Sequence, residues 1–160
     1  MNFNADWTRW CFASFSKFFD SKKGSTYLYV DGTDRATANL SDFSEFRMDG
    51  PRIKVLGKHL VKLEVTVNIL VQATMNDTDI HQFQRTIGVM VAAFEQSISA
   101  YRYGTGVNDN DTLFACFQRV SETGSKVGFD VRVNNFGIID PTVRKQQATI
   151  EARYAAEITV

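Results

Sequence analysis

The pattern of apolar and polar positions changes from the period of a strand to that of a helix in the middle of the chain. Over residues 61–74 every odd position is apolar and every even one except Leu70 is polar, as in a strand with one buried face. Beyond residue 75 the apolar positions recur at helical spacing: Ile80, Phe83, Ile87, Met90, Val91, Phe94 and Ile98. The pattern predicts a long strand, then a helix that begins within residues 76–79, continues to 98 and packs on the sheet.

An N-terminal helix is predicted over residues 5–23. Asn4 can cap its first turn, and Gly24 can adopt the left-handed conformation that commonly ends a helix. Most of its aromatic residues share one face, but Trp10 falls outside that face, among polar residues. Trp10 is therefore interpreted either as a residue at the margin of the core or as an anchor for a protein partner, where Trp is enriched.

Alternating segments elsewhere predict an antiparallel or mixed sheet of four or more strands. The last of them, residues 148–160, matches the long strand in length and polarity, so the two are expected to pair. A turn at 49–51 is predicted to separate two strand pieces, and a hairpin is predicted between 113–120 and 127–133, followed by an irregular segment to 141. The other predicted strands cover 25–30, 43–48, 52–55 and 101–103, and an exposed loop is expected over 33–42.

The length predicts a single domain spanning residues 1–160. The pattern of strands and helices predicts the α+β class, with two main helices packed on one sheet. The 18 basic and 18 acidic residues cancel, which argues against a protein that grips nucleic acid phosphates or an anionic membrane. No apolar run approaches the roughly 20 residues of a spanning helix. We therefore expect synthesis as an intracellular protein without membrane contact.

The charges are nevertheless segregated along the chain. Residues 31–49 contain five acids and two bases, whereas 52–62 contain four bases and no acid. This segregation fits either a solvated face or complementary patches on successive identical subunits. Carboxylates at Glu64, Glu151 and Glu157 share strand faces with Lys62 and Arg153, so cross-strand ion pairing explains them without an acid–base pair.

No set of residues in the sequence predicts a catalytic site, a metal site or a cofactor site. His59 and His81 lack a nucleophile motif such as G-x-S-x-G. Cys11 and Cys116 lie in apolar contexts and are expected to be reduced core residues. The glycines and acids at 104–111 lack the spacing of a phosphate-binding loop or a calcium loop. The chain is therefore expected not to be an enzyme.

Four segments of the chain resemble those of a known protein family. They are WTRWCFASF from Trp7, EFRMDGP from Glu45, FEQSI from Phe94 after the long strand, and QATIEARY from Gln147. In these segments and in the order of its elements, the chain resembles bacteriophage tail terminator proteins, also called tail completion proteins.

That resemblance implies a structural virion protein that is assembled in the host cytoplasm and found in the tail or neck. It would form a ring of identical subunits, usually six, that caps the head-proximal end of the tail tube and stops its polymerisation. Its partners would be other copies of itself, the tail tube protein and a head–tail connector or neck protein. DNA would only pass through the lumen, without sequence-specific binding.

The interface hypothesis assigns Trp10, Glu45, Arg47 and Asp49 to contacts between subunits or with the tail, with Arg47 and Asp49 pairing across them. Three alternatives remain open: another neck or tail component such as a connector or the tube protein, a small ligand-binding module, and an enzyme of unknown kind that would depend on His59 or His81.

Overall fold

The computed structural model describes residues 3–25, 27–30, 42–75, 78–103, 112–121, 130–142 and 144–160. The helices are α1 (Trp7–Lys22) and α2 (Gln82–Ala93). The strands are β1 (Leu28–Val30), β2 (Phe43–Val55), β3 (Leu60–Thr74), β4 (Ser97–Arg102), β5 (Thr112–Val120), β6 (Arg132–Asp140) and β7 (Lys145–Thr159). The presence of both helices and strands confirms the predicted α+β class.

The seven strands form one mixed sheet in the order β1-β2-β3-β7-β5-β4, with β6 also paired to β7. β1 runs parallel to β2, and the other pairs are antiparallel. The predicted pairing of the two long strands is confirmed, because β3 and β7 are in register from Leu60 opposite Thr159 to Thr74 opposite Lys145. Their alternating side chains place one apolar face towards the helices.

The first helix lies where the sequence predicts it, within two residues. α1 begins at Trp7, and Asn4 Oδ1 accepts a hydrogen bond from the backbone N of Asp6 (2.8 Å) just before it. Gly24 follows the helix with φ 63°, in the left-handed region as predicted. The buried face of α1 consists of Trp7, Cys11, Ser14, Phe15 and Phe19.

Aromatic rings join α1 to the centre of the sheet. The Phe15 ring lies 5.1 Å from that of Phe117 on β5 and 5.6 Å from that of Tyr154 on β7, both edge-on. Such edge-on contacts are favourable because the positive ring edge meets a negative ring face. The Tyr154 hydroxyl donates to the Glu95 carbonyl at 2.8 Å, and burial raises the pKa of that hydroxyl above its usual range.

The second helix is shorter than predicted at both ends. α2 spans Gln82–Ala93; Phe94 has ψ 72°, which ends the helix. Ile98 is instead a buried residue of β4, and Ile80 precedes the helix with 67% of its surface exposed. The predicted apolar stripe therefore combined residues of a helix and of a strand. Residues 76 and 77, the predicted capping positions, lie outside the described residues.

The predicted turn at 49–51 is wrong, because β2 continues through it. The ladder with β3 shifts between Asp49 and Arg52, so this point is an irregularity within one strand. The Gly50–Pro51 peptide is cis, and Gly50 has φ 107°. A Cβ on Gly50 would lie 2.7 Å from the Glu64 carbonyl oxygen of β3. Glycine is thus required here both by the backbone conformation and by the close approach of β3.

The predicted hairpin between 113–120 and 127–133 is wrong in the part that the structure describes, because Arg132 and Val133 pair with β7. The first segment is β5, but its described neighbours are β4 and β7. The segment predicted to be irregular is β6, which pairs with β7. Nearly all of β6 is exposed, so it has no period-two apolar pattern to reveal it. The predicted strand at 25–30 is reduced to β1, and 31–41, 104–111 and 122–129 lie outside the described residues.

Replacement of the central ring of the core tests this packing. Phe15→Ala is expected to lower the free energy of unfolding by about 3–5 kcal/mol, because it leaves a cavity between α1 and the sheet. Val89→Ala on α2, where 40% of the side chain is exposed, is the control and should cost less than about 1 kcal/mol. Urea unfolding followed by circular dichroism measures both, and equal losses would contradict the assigned core.

Candidate functional site

Exposed apolar side chains collect at one end of the sheet, where β2 turns into β3 and β7 finishes. The backbone N atoms of Leu56 and Gly57 donate to the Leu60 carbonyl at 2.9 and 3.2 Å, which closes the turn. The Val160 N atom donates to the His59 carbonyl at 2.9 Å, which fixes the last residue of the chain against that turn. We call this surface the apolar end; its exposed residues are Phe3, Ile53, Val55, Leu56, Leu60, Leu113 and Val160.

A cavity of about 510 Å³ opens at the apolar end, between the start of α1, the start of β5 and the end of β7. Its walls include Trp7, Trp10, Arg102, Phe114, Cys116 and Glu157. The Phe114 ring lies 5.2 Å from the Trp10 ring, edge-on, and 6.2 Å from the Trp7 ring. The volume of the cavity lies within the roughly 300–1,000 Å³ of typical small-molecule pockets. We call it the aromatic cavity.

Hydrogen bonds hold Trp10 at the wall of this cavity. Its Nε1 atom donates to the Tyr103 carbonyl at 2.7 Å, and Nη2 of Arg9 donates to the same oxygen at 2.8 Å. The Arg102 guanidinium lies 5.9 Å from the centre of the Trp10 ring, within cation–π range. Trp10 is partly buried and packs against the core, so its interpretation as a residue of the core margin is confirmed. Its role as a partner anchor stays a prediction.

Several charged groups at the apolar end make no ion pair within the described part of the chain. They are Lys54 and Lys58 at the β2–β3 turn and Arg102 and Glu157 at the cavity. Nearby, Lys62 Nζ contacts Glu64 Oε1 at 2.9 Å. This hydrogen bond, together with the charges of Lys62, Arg153 and Lys54, holds the pKa of Glu64 below its usual range.

The other predicted interface residues lie along β2. Glu45, Arg47 and Asp49 stand opposite Leu70, Asn68 and Thr66 of β3, on the face of the sheet away from the core. Arg47 Nε contacts Glu45 Oε1 at 2.6 Å, and Asp49 pairs with Arg52 at 2.7 Å.

The structure therefore groups these three residues on one strand and leaves Trp10 apart from them, on the helix side of the sheet. Within the chain Arg47 and Asp49 each have a partner of their own. The assignment of all four residues to an interface stays a prediction.

The remaining candidates for chemistry are dispersed. His59 Nδ1 lies 3.2 Å from the Val160 carbonyl oxygen, and His81 is exposed before α2. Among the described residues there is no group of three or more His, Cys, Asp or Glu side chains that could bind a metal, and no helix long and apolar enough to cross a membrane.

The two cysteines differ, contrary to the prediction that both are core residues. Cys11 is fully buried, and burial raises the pKa of its thiol to about 12. Cys116 is exposed and lines the aromatic cavity. Its neighbours Ala115 and Phe117 are buried, so strand alternation places Cys116 on the opposite face. That alternation is visible in the sequence and could have predicted that Cys116, unlike Cys11, is exposed.

The arrangement suits noncovalent recognition of an apolar group that carries charge. Aromatic walls provide the apolar surface, and Arg102 and Glu157 provide opposite charges beside it.

The chain matches no protein-family model, and no curated protein sequence is significantly similar to it. The cavity joins segments far apart in sequence, so sequence reasoning found Trp10 but missed Arg102, Phe114 and Glu157.

Thiol labelling tests the difference between the two cysteines. At pH 8 a disulfide-exchange reagent is expected to modify Cys116 rapidly, because it is exposed. Cys11 should react only after denaturation, because its thiol is buried and its pKa lies about four units above that pH. Absorbance of the released thiolate counts the groups. Cys116→Ser is the control, and rapid reaction of that variant in the folded state would contradict the placement of Cys11.

Proposed function

We propose that this chain is a structural subunit of a tailed bacteriophage virion, a tail terminator that assembles into a ring at the head-proximal end of the tail tube. Two independent features support the proposal. The first is the resemblance of the segments around Trp7, Glu45, Phe94 and Gln147 to that family. The second is the apolar end, which is the observation that carries the proposal, because it is a surface suited to contact with another protein.

Surfaces of this composition mark protein interfaces. Exposed apolar side chains that lie together mark sites of interaction more often than scattered ones do. Interfaces are also enriched in Trp, Phe and Arg, and the aromatic cavity contains all three types. Contact with another subunit would cover the exposed aliphatic residues and give a partner to the charges beside them.

A ring subunit needs two kinds of contact. A heterologous contact, in which one side of a subunit meets a different side of the next, closes at a fixed number of copies when the rotation between them fits. One axial face of the ring then matches the tube protein and the other matches the neck. Tube growth stops because the exposed face no longer fits a tube subunit. The zero net charge of the chain favours passage of DNA through the lumen without tight binding.

The second candidate function is that of a small ligand-binding module. The volume and aromatic walls of the cavity favour it. A planar aromatic acid such as indole-3-acetate would then stack on Trp10 and pair with Arg102. A ligand present at 100 times its dissociation constant stabilises the folded state by about 2.7 kcal/mol, so a screen of melting temperatures distinguishes a binding module from a subunit whose cavity serves another chain.

The ring proposal predicts closed oligomers of the purified protein. Mass photometry is expected to show a species of six times the 18.1 kDa mass of the chain, and negative-stain images should show rings. Long tubes formed by the protein alone would indicate a tube protein instead. A monomer at every concentration, also in the presence of tail tubes, would contradict the proposal.

The interface hypothesis predicts that Arg47→Glu weakens assembly. The change reverses a charge that is expected to pair across the contact, so we expect association to weaken by about tenfold, or ~1.4 kcal/mol. The control is Arg85→Glu on α2, which also reverses an exposed, ion-paired arginine. Sedimentation velocity measures assembly, and the melting temperature shows whether the fold is retained. Equal association of both variants would remove Arg47 from the interface.

A further inference from the structure

We propose that the β2–β3 turn of one copy of the chain inserts into the aromatic cavity of the next copy, and that this contact joins the subunits side by side. The inference rests on the proposed ring and names the surfaces that form it. We call residues 52–60 the basic turn, since they carry Arg52, Lys54 and Lys58 and no acid. All nine of these residues are exposed.

The topology places the basic turn and the aromatic cavity on opposite sides of the same end of the subunit. β1 pairs with residues 44–46 of β2 only, so among the described strands the later part of β2 has a free outer edge. β3 and β7 separate this edge from β5, which helps to line the cavity. A neighbour related by rotation about an axis along the strands therefore brings its basic turn beside the cavity at the same height. Such a contact is heterologous, as ring closure requires.

The apolar surfaces of the two elements match. Ile53 and Val55 stand opposite Leu63 and Val61 of β3, which belong to the buried core face. The side chains of Ile53 and Val55 therefore point to the core side of the sheet, yet 41% and 51% of their surfaces are exposed. Together with Leu56 they form an aliphatic edge that Trp10 and Phe114 can cover.

The charges match as well. Lys54 and Lys58 of the basic turn and Glu157 of the cavity make no ion pair within the described residues. Insertion brings these lysines to that carboxylate. Arg102 lies beside Trp10 on another wall, where its guanidinium can donate to a carbonyl oxygen of the inserted turn.

The other exposed apolar segment fits a strand partner poorly. β6 exposes Val133, Phe136, Ile138 and Ile139. Its ladder with β7 shifts between Asn135 and Gly137 and again between Ile138 and Asp140. Such irregularities twist an edge strand and hinder its pairing with another chain. The basic turn and the cavity are therefore the better matched pair.

A cross-link between Leu56→Cys on the turn and the natural Cys116 in the cavity tests the contact. Within one chain strands β3 and β7 lie between these positions, a separation of roughly 10–15 Å, whereas the Cα atoms of a disulfide lie within about 7 Å. Mild oxidation is therefore expected to join different chains. A head-to-tail contact should give a ladder of dimers, trimers and larger species on a non-reducing gel, and a reductant should abolish it.

Two control variants show whether the cross-link requires both Leu56→Cys and Cys116. Leu56→Cys combined with Cys116→Ser should give no ladder. Ile80→Cys, at a position on the α2 side with 67% of its surface exposed, should give at most the weak dimer of random collision. A charge test complements the cross-link: Glu157→Lys should weaken assembly about tenfold, and combination with Lys58→Glu should restore it. Lys54 is left unchanged, because within one chain it lies in the same cross-strand row as Lys62 and Glu157.

The possible results test this contact separately from ring formation. Rings without a Leu56→Cys ladder, or with unchanged assembly of Glu157→Lys, would overturn the contact and leave the proposed function standing. Dimers that extend no further would reveal a two-fold contact and overturn the head-to-tail arrangement. A wild-type protein that stays monomeric, together with a Leu56→Cys variant that gives no cross-link, would overturn both.

Discussion

The full-length pairing of β3 with β7 is the interaction on which the rest of the structure depends. Fifteen residues of each strand are in register, and their alternation produces one apolar face and one polar face. β2 adds to one side of this pair, and β5 and β6 add to the other, so the positions of the remaining strands depend on it. A shift of one residue would exchange the two faces and remove the surface on which Phe15 and Phe19 pack.

The sequence predicts an element well when its two sides have different environments. β3, β7 and α1 each have one buried and one solvated face, so their period is visible and their bounds were predicted to within a few residues. β6 is exposed almost throughout and carries no such period. The bend at Gly50 was interpreted as a turn because glycine and proline serve both turns and strand irregularities. Ile98 belongs to a strand but happens to lie at a helical interval from Phe94. The predicted helix was therefore too long.

The candidate site was predictable only in part, for a different reason. Trp10 stood out because it left the apolar face of its own helix, which is a local signal. The aromatic cavity joins α1, β4, β5 and the end of β7, and no single segment shows that Arg102, Phe114 and Glu157 converge. The basic character of 52–62 was visible, but the aliphatic edge beside it depends on how far the helices reach across the sheet.

That reach follows from simple lengths. A helix rises about 1.5 Å per residue and a strand about 3.3 Å, so the 16 residues of α1 span ~24 Å whereas the 15 residues of β3 span ~50 Å. The core face of β3 is nevertheless buried from Val61 to Ala73, because both helices and the neighbouring strands cover it together. On β2 the same face carries Ile53 and Val55, with 41% and 51% of their surfaces exposed, and Val160 follows β7 with 40% exposed. Within the described residues the cover of the apolar face is therefore incomplete at the end of β2 and after β7, and contact with a second copy, as we propose, would complete it.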